Sequence, residues 1–132
     1  MSGKIVDIIL TPFRIPLVAP VHFAESTLTV ADHILVEVIT DDGIVGLAEA
    51  IPRPMIYGET RESVTAAIKG LITPELLGQR IDEMGRVVQR LANIKANHVA
   101  KGSVELAIFD ALGKLLGISG SSLFRVGKSV NP

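Results

Sequence analysis

Three histidines, His22, His33 and His98, are the side chains best suited to acid–base or metal chemistry near neutral pH. They lie far apart, with no i,i+4 pair and no H-E-x-x-H arrangement, so the spacing predicts no zinc site. The chain has no cysteine, which excludes a disulfide framework, a thiolate metal site and a cysteine nucleophile. Gly127-Lys128-Ser129 imitates the end of a phosphate-binding loop, but Ser122 stands where the motif needs its first glycine. Gly43, Gly46, Gly58 and Gly70 do not form G-x-G-x-x-G. Asp41 and Asp42 are adjacent carboxylates, yet turn formation accounts for them better than catalysis. Glu37 and Glu49 read as outward-facing strand residues, and no serine sits in a nucleophile-elbow pattern. The sequence therefore predicts no catalytic residue and no metal ligand of its own.

What remains is a pair of irregular segments, residues 17–32 and 51–59, neither with a sustained period. Long irregular segments in a small domain are commonly functional. Charge gives no other lead. The chain carries 13 basic and 14 acidic residues, net −1, scattered along its length. Phe13, Phe23, Tyr57, Phe109 and Phe124 are widely separated, so the basic stripe with stacking aromatics of a nucleic-acid binder is missing. No apolar run approaches the roughly 18 residues of a membrane span. Met-Ser-Gly-Lys leads directly into a β-like alternation, with no signal-peptide pattern. A soluble, cytoplasmic protein that binds neither nucleic acid nor membrane is expected.

The elements that must position those segments divide into a strand half and a helix half. Residues 4–16 read as a strand, with Pro12 and Pro16 marking an edge or an exit. The β-rich runs 34–40 and 44–50 flank Asp41-Asp42-Gly43, a strong hairpin signal. Thr60 is an expected N-cap with Glu62 in the first turn, followed by an apolar stripe of Val64, Ala67 and Ile68. Glu59, just before it, reads as a further acidic charge at a helix N-terminus, with a substrate role the other reading open to it. Thr73-Pro74-Glu75 opens a short helix through Leu77. From Ile81, the residues Met84, Val87, Val88 and Leu91 share a helical face. The last helix repeats Val104, Ala107, Ile108, Ala111, Leu112, Leu115 and Leu116 at spacings of three and four, and stops at Gly117. Asp110, one step from that stripe, is expected to cap or pair with a neighbouring element. Strands followed by segregated helices predict an α+β fold: a three-stranded antiparallel β-meander and then a bundle of three to four helices. At 132 residues, with 48% hydrophobic and 20% charged residues, one domain with a real core fits. A (β/α)₈ barrel of roughly 250 residues does not.

Three segments, in this order, carry a family resemblance. They are Ile34-Leu-Val-Glu-Val-Ile-Thr-Asp-Asp-Gly-Ile-Val-Gly-Leu-Ala-Glu-Ala50, Pro54-Met-Ile-Tyr-Gly-Glu-Thr60 and Ala107-Ile-Phe-Asp-Ala-Leu-Gly-Lys114. They resemble the N-terminal capping domain of the enolase superfamily, in its mandelate racemase/muconate lactonizing group and its muconate cycloisomerase-like members. The resemblance covers residues 4–125. It implies a capping domain over 1–125, with 126–132 a divergent or truncated tail where the family's barrel would begin.

In such enzymes the resemblance implies Mg²⁺ and acid–base groups on the barrel, which abstract a proton beside a carboxylate with metal assistance. The cap supplies two loops that close over a small carboxylate substrate, exclude water and select its shape. On this chain the first loop corresponds to Val21, His22, Phe23, Ala24 and Glu25, and the second to Arg53, Met55, Ile56 and Tyr57. Tyr57 has two roles open to it, a substrate contact or packing of its ring on the sheet. His22 is equally readable as a loop-packing residue. The implied Mg²⁺ belongs to the barrel, so none is expected in this chain, and the chain alone is expected to be inactive. The other reading is a free-standing binding or oligomerisation module. Helical stripes shaped to meet a barrel would then leave an apolar patch, and self-association is expected.

Overall fold

The computed structural model describes the backbone of residues 3–23 and 26–118, and the side chains of 3–16 and 31–118. Residues 126–132 of the expected tail lie outside it. Three strands, β1 (Ile5–Phe23), β2 (Ser26–Thr40) and β3 (Val45–Ala50), form an antiparallel sheet in the order β1-β2-β3. Five helices follow: α1 (Pro54–Tyr57), α2 (Arg61–Ala67), α3 (Thr73–Leu76), α4 (Met84–Ala92) and α5 (His98–Leu116). The α+β architecture, a meander followed by helices, is the one the sequence predicts, and the described residues contain no barrel.

Register fixes which residues face the helices. Ile8, Val38 and Gly46 are matched across the sheet, as are Leu10, Val36 and Ala48, and Pro12, Ile34 and Ala50. Alternation puts these on one face, and Ile8, Ile34, Val36, Val38 and Ala50 are buried there. The core is completed by Val64, Ala67, Ile68, Ile72, Leu76, Ile81, Val87 and Leu91, and by the α5 stripe Ala100, Val104, Ala107, Ile108 and Ala111. The helical periodicity therefore identified the buried face. Three residues depart from it: Val88, Leu116 and Leu77 are exposed. Each lies at the margin of a narrow stripe, where the neighbouring elements do not reach.

The segment 17–32 is not a loop. β1 runs on to Phe23 and β2 starts at Ser26, with Val21 opposite Leu28 and Phe23 opposite Ser26. β3 ends at Ala50 opposite Ile34, so beyond this point β1 and β2 continue as a two-stranded ribbon. Backbone pairing holds such a ribbon whether or not its side chains alternate, which is why a search for period-2 hydrophobicity passes over it. Pro12 and Pro16 are four apart, so their missing N–H groups fall on the same edge of β1. Past Ile5, whose backbone bonds Gly78 and Gln79, β1 has no second strand partner among the described residues, so an outward-facing proline costs no ladder bond.

The helix boundaries follow local chemistry. Thr60 accepts from the Ser63 amide at 3.0 Å and its own amide donates to the Ser63 hydroxyl at 2.8 Å, a reciprocal capping box opening α2. Thr60→Ala is expected to cost about 1 kcal/mol, measurable as a shift in the urea midpoint with an unchanged slope. Residues 68–72 wind as a π-helix between α2 and α3, and the Thr73 amide reaches back to the Ile68 carbonyl. Pro74 follows and cannot donate to a carbonyl four residues earlier, so the register widens just before it. Thr73 lies inside α3 rather than capping it. α4 begins at Met84 rather than Ile81. α5 ends as expected, with Gly117 left-handed at φ 69°.

Candidate functional site

β3 runs antiparallel to β2 and finishes at Ala50, on the side toward which the β1–β2 ribbon projects. Topology thus directs both candidate loops from the same end of the sheet. Val21, His22 and Phe23 close β1 near the ribbon tip. Ala24 and Glu25 lie outside the described residues. The second segment is not wholly irregular, because Pro54–Tyr57 forms the single turn α1. Pro54 starts it with a fixed φ. The Arg53 carbonyl accepts from the Ile56 and Tyr57 amides at 3.1 and 2.8 Å, and the Gly58 amide returns to the Pro54 carbonyl at 3.1 Å. Gly58 is left-handed at φ 72°, a conformation that glycine adopts without a Cβ penalty.

This turn buries nothing. Met55, Ile56 and Tyr57 are 61%, 58% and 61% exposed, three large side chains in a row that the rest of the described chain leaves uncovered. Of the two roles open to Tyr57, packing of its ring on the sheet is not the one the structure adopts. Arg53 is exposed as well. Nearby, an open depression of about 590 Å³ is lined by Pro12, Arg61, Glu62, Thr65 and Ala66. The Glu62 carboxyl there is held below its ordinary value, first by a bond from its own backbone amide and then by the Arg61 guanidinium.

Among the described residues no three His, Cys, Asp or Glu side chains converge as a metal site. His33 bonds the Glu49 carboxylate and stacks on Phe13 with ring centroids 5.2 Å apart. That group lies on the sheet face away from the helices, and His33 and Glu49 hold each other. Among the described residues, no helix is long and apolar enough to cross a membrane.

Two of the acidic residues have partners far along the chain. Glu59 is buried, and its carboxylate accepts from the Val99 amide at 2.9 and 3.1 Å and the Ala100 amide at 3.2 Å. It therefore serves the N-terminus of α5, not that of α2 as its position in sequence suggests. Its partners are 40 and 41 residues away, and no local pattern marks them. Asp110 does pair with a neighbouring element. It accepts from the Leu47 amide at 2.8 Å, while Lys114 reaches the Val45 carbonyl at 2.7 Å and Asp110 itself at 3.0 Å. The Asp-x-x-x-Lys spacing thus puts two side chains, one helical turn apart, against the free edge of β3.

Fold and site together define an α+β domain whose two candidate segments, the β1–β2 ribbon and the α1 turn, lie toward one end of the sheet. The chain belongs to the mandelate racemase/muconate lactonizing enzyme family, whose N-terminal domain matches residues 5–124. Muconate cycloisomerase 1 of Rhodococcus opacus is 33% identical over 118 residues, which are 87% of this chain and 32% of that protein. A muconate lactonizing enzyme from Mycobacterium smegmatis, solved with muconolactone, superposes with a TM-score of 0.80 at 44% identity, over 86% of this chain and 31% of that one. A dipeptide epimerase from Methylococcus capsulatus, solved with Mg and a dipeptide, gives 0.77 at 31% identity, over 86% of this chain and 32% of that one. The chain spans about a third of the length of these relatives.

Proposed function

We propose that this chain is the substrate-specificity and active-site-closing domain of a muconate cycloisomerase-like isomerase. The reaction is metal-assisted proton abstraction beside a carboxylate. Mg²⁺ and the acid–base groups belong to a barrel that these 132 residues do not include, and this chain by itself is inactive. The observation that carries the reading is the uncovered Met55-Ile56-Tyr57 turn in a family-matched domain, at the end of the sheet toward which the ribbon projects. Apolar side chains there would exclude water from a small carboxylate substrate. Arg53, exposed beside them, is the cation suited to its charge. Val21, His22 and Phe23 are the other candidate contacts in this reading, together with Ala24 and Glu25, which lie outside the described residues. The same reading places the protein in the cytoplasm, where a cysteine-free chain loses nothing to reducing conditions.

A hybrid tests it. This domain would replace the matching segment of the Rhodococcus opacus muconate cycloisomerase, and turnover of muconate would be measured. The hybrid is expected to be active, with Tyr57→Ala lowering kcat/KM by roughly tenfold or more, as loss of a positioning contact does. An active hybrid indifferent to Arg53, Met55, Ile56 and Tyr57 substitutions would sink the assignment. The isolated chain should show neither turnover nor stoichiometric Mg²⁺ binding by calorimetry; either result would contradict the division of labour proposed.

A second reading has its own support. The helical stripes are mostly buried in the domain's own core and do not form the expected patch; besides the α1 turn, it is the sheet face away from the helices that leaves Ile9, Phe13, Ile15 and Leu47 exposed. Without a barrel, such surface would draw a second copy of the chain. Sedimentation velocity across a concentration series is expected to show reversible dimers or larger species. A strict monomer at the highest concentration would remove the oligomerisation module as an account of the free chain.

A further inference from the structure

The α1 turn is fixed only at its ends, and the anchor on its C-terminal side is Glu59, two residues beyond Tyr57. α5 needs that carboxylate for a reason of its own. The N-cap position is Asn97, a residue type that ordinarily caps with its side chain. Here Asn97 is left-handed at φ 56°, caps nothing, and donates instead to the Lys95 carbonyl at 2.9 Å. Ala96 before it is also left-handed at φ 53°. Two consecutive non-glycine residues in that region are strained, and such strain persists only where surrounding contacts over-determine it. The amides of Val99 and Ala100 are left without a local acceptor, and the buried Glu59 carboxylate supplies one for both. A charge at the positive end of a 19-residue helix, bonded to amides and shielded from water, makes a strong contact.

We propose that Glu59 is a positioning residue, which ties the exposed Met55-Ile56-Tyr57 turn to the N-terminus of α5 and thereby sets where that turn presents its side chains. The consequence for specificity rests on the reading of this turn as substrate-facing. The mechanical tie does not. α5 is the most rigid reference available, since its stripe is buried along most of its length and Asp110 and Lys114 fasten it to β3. Glu59 refers the turn to that frame across two residues, one of them a left-handed glycine.

The sequence supplies its own probe, because Tyr57 is the single tyrosine and there is no tryptophan. Time-resolved anisotropy of tyrosine fluorescence in the full 132-residue chain reports the local motion of that turn. Glu59→Gln keeps the shape and removes the charge; the variant is expected to stay folded by far-UV dichroism while Tyr57 gains local motion. The Val99 and Ala100 amides should exchange roughly tenfold faster or more, as for a lost charge-assisted bond. Val87→Ala, a core truncation in α4, serves as an equally loosened reference and should leave Tyr57 anisotropy unchanged. Should Glu59→Gln fail to fold, Glu59→Asp retains the charge with a shorter reach and is expected to shift Tyr57 in the same direction.

Unchanged Tyr57 motion in a folded Glu59 variant would overturn the proposal and reduce Glu59 to a helix cap. An equal change in Val87→Ala would overturn it too, since loosening would then be global. Neither result bears on whether the domain serves an isomerase, which the hybrid decides separately.

Discussion

Gly46→Ala is expected to lower the thermal midpoint by about 10 °C. A Cβ built on Gly46 would lie 2.0 Å from the Ala107 carbonyl oxygen, 2.7 Å from the Ala111 Cβ and 2.8 Å from the Ala111 amide nitrogen. Two of these three are backbone atoms of α5, which no rotamer change can move aside. Relief requires the helix to lift off β3, which opens the packing of Val104, Ile108 and Val38 behind it. Overpacking of this kind costs about 3 kcal/mol or more, and in a domain of this size each kcal/mol shifts the midpoint by a few degrees. The same substitution at Gly85 in α4 provides the contrast. Nothing lies within 4 Å of its Cβ position, so Gly85→Ala should be neutral or raise stability by up to about 1 kcal/mol through helix propensity. Calorimetry of the two variants at one protein concentration checks both signs. A loss below about 1 kcal/mol for Gly46→Ala would mean that strand and helix separate freely.

Asp110→Ala should release the edge of the sheet. Among the described residues, the order β1-β2-β3 leaves the far side of β3 without a strand partner, and an unpaired edge is open to non-native pairing. Asp110 and Lys114 take the place of a fourth strand, one accepting from the Leu47 amide and the other donating to the Val45 carbonyl. Both are partly exposed, so water recovers some of what is lost. Bonds to charged groups contribute about 1.5–3 kcal/mol each, and Asp110→Ala is expected near the lower end. The Leu47 amide should exchange markedly faster, and the protein should aggregate more readily on warming. Lys114→Met frees the Val45 carbonyl instead. Because Lys114 also contacts Asp110 at 3.0 Å, the two losses should be less than additive in a double-mutant cycle. Unchanged Leu47 protection in Asp110→Ala would disprove the edge role.

These residues mark how far local pattern reaches. The Asp41-Asp42-Gly43 turn, the Thr60 cap and the stop at Gly117 were legible because each is chemistry within four or five residues. The α5 stripe was legible for the same kind of reason: side chains three and four apart share a helix face whatever the fold. The ribbon was missed, since strand pairing between residues 17–23 and 26–32 depends on backbone bonds that leave little trace in side-chain type. Glu59 was assigned to the nearest helix, although the N-terminus it serves begins near residue 98. The segment 51–59 reads as irregular in the sequence, whereas Pro54–Tyr57 winds into a helical turn, and the exposure of Met55, Ile56 and Tyr57 emerges only once the core is assembled.

Local pattern is enough to establish the strand half and the helix half, their order, most of the buried faces and, through three spaced motifs, the family to which the chain belongs. All of these follow from periodicity and local capping, which are properties of neighbouring residues. That Gly46 must lack a side chain, that Asp110 and Lys114 bond the outer edge of β3, and that Glu59 caps α5 follow from the packing in three dimensions alone. Those contacts link residues 40 to 69 positions apart, and such partners are chosen by packing of the whole domain, not by anything written beside them.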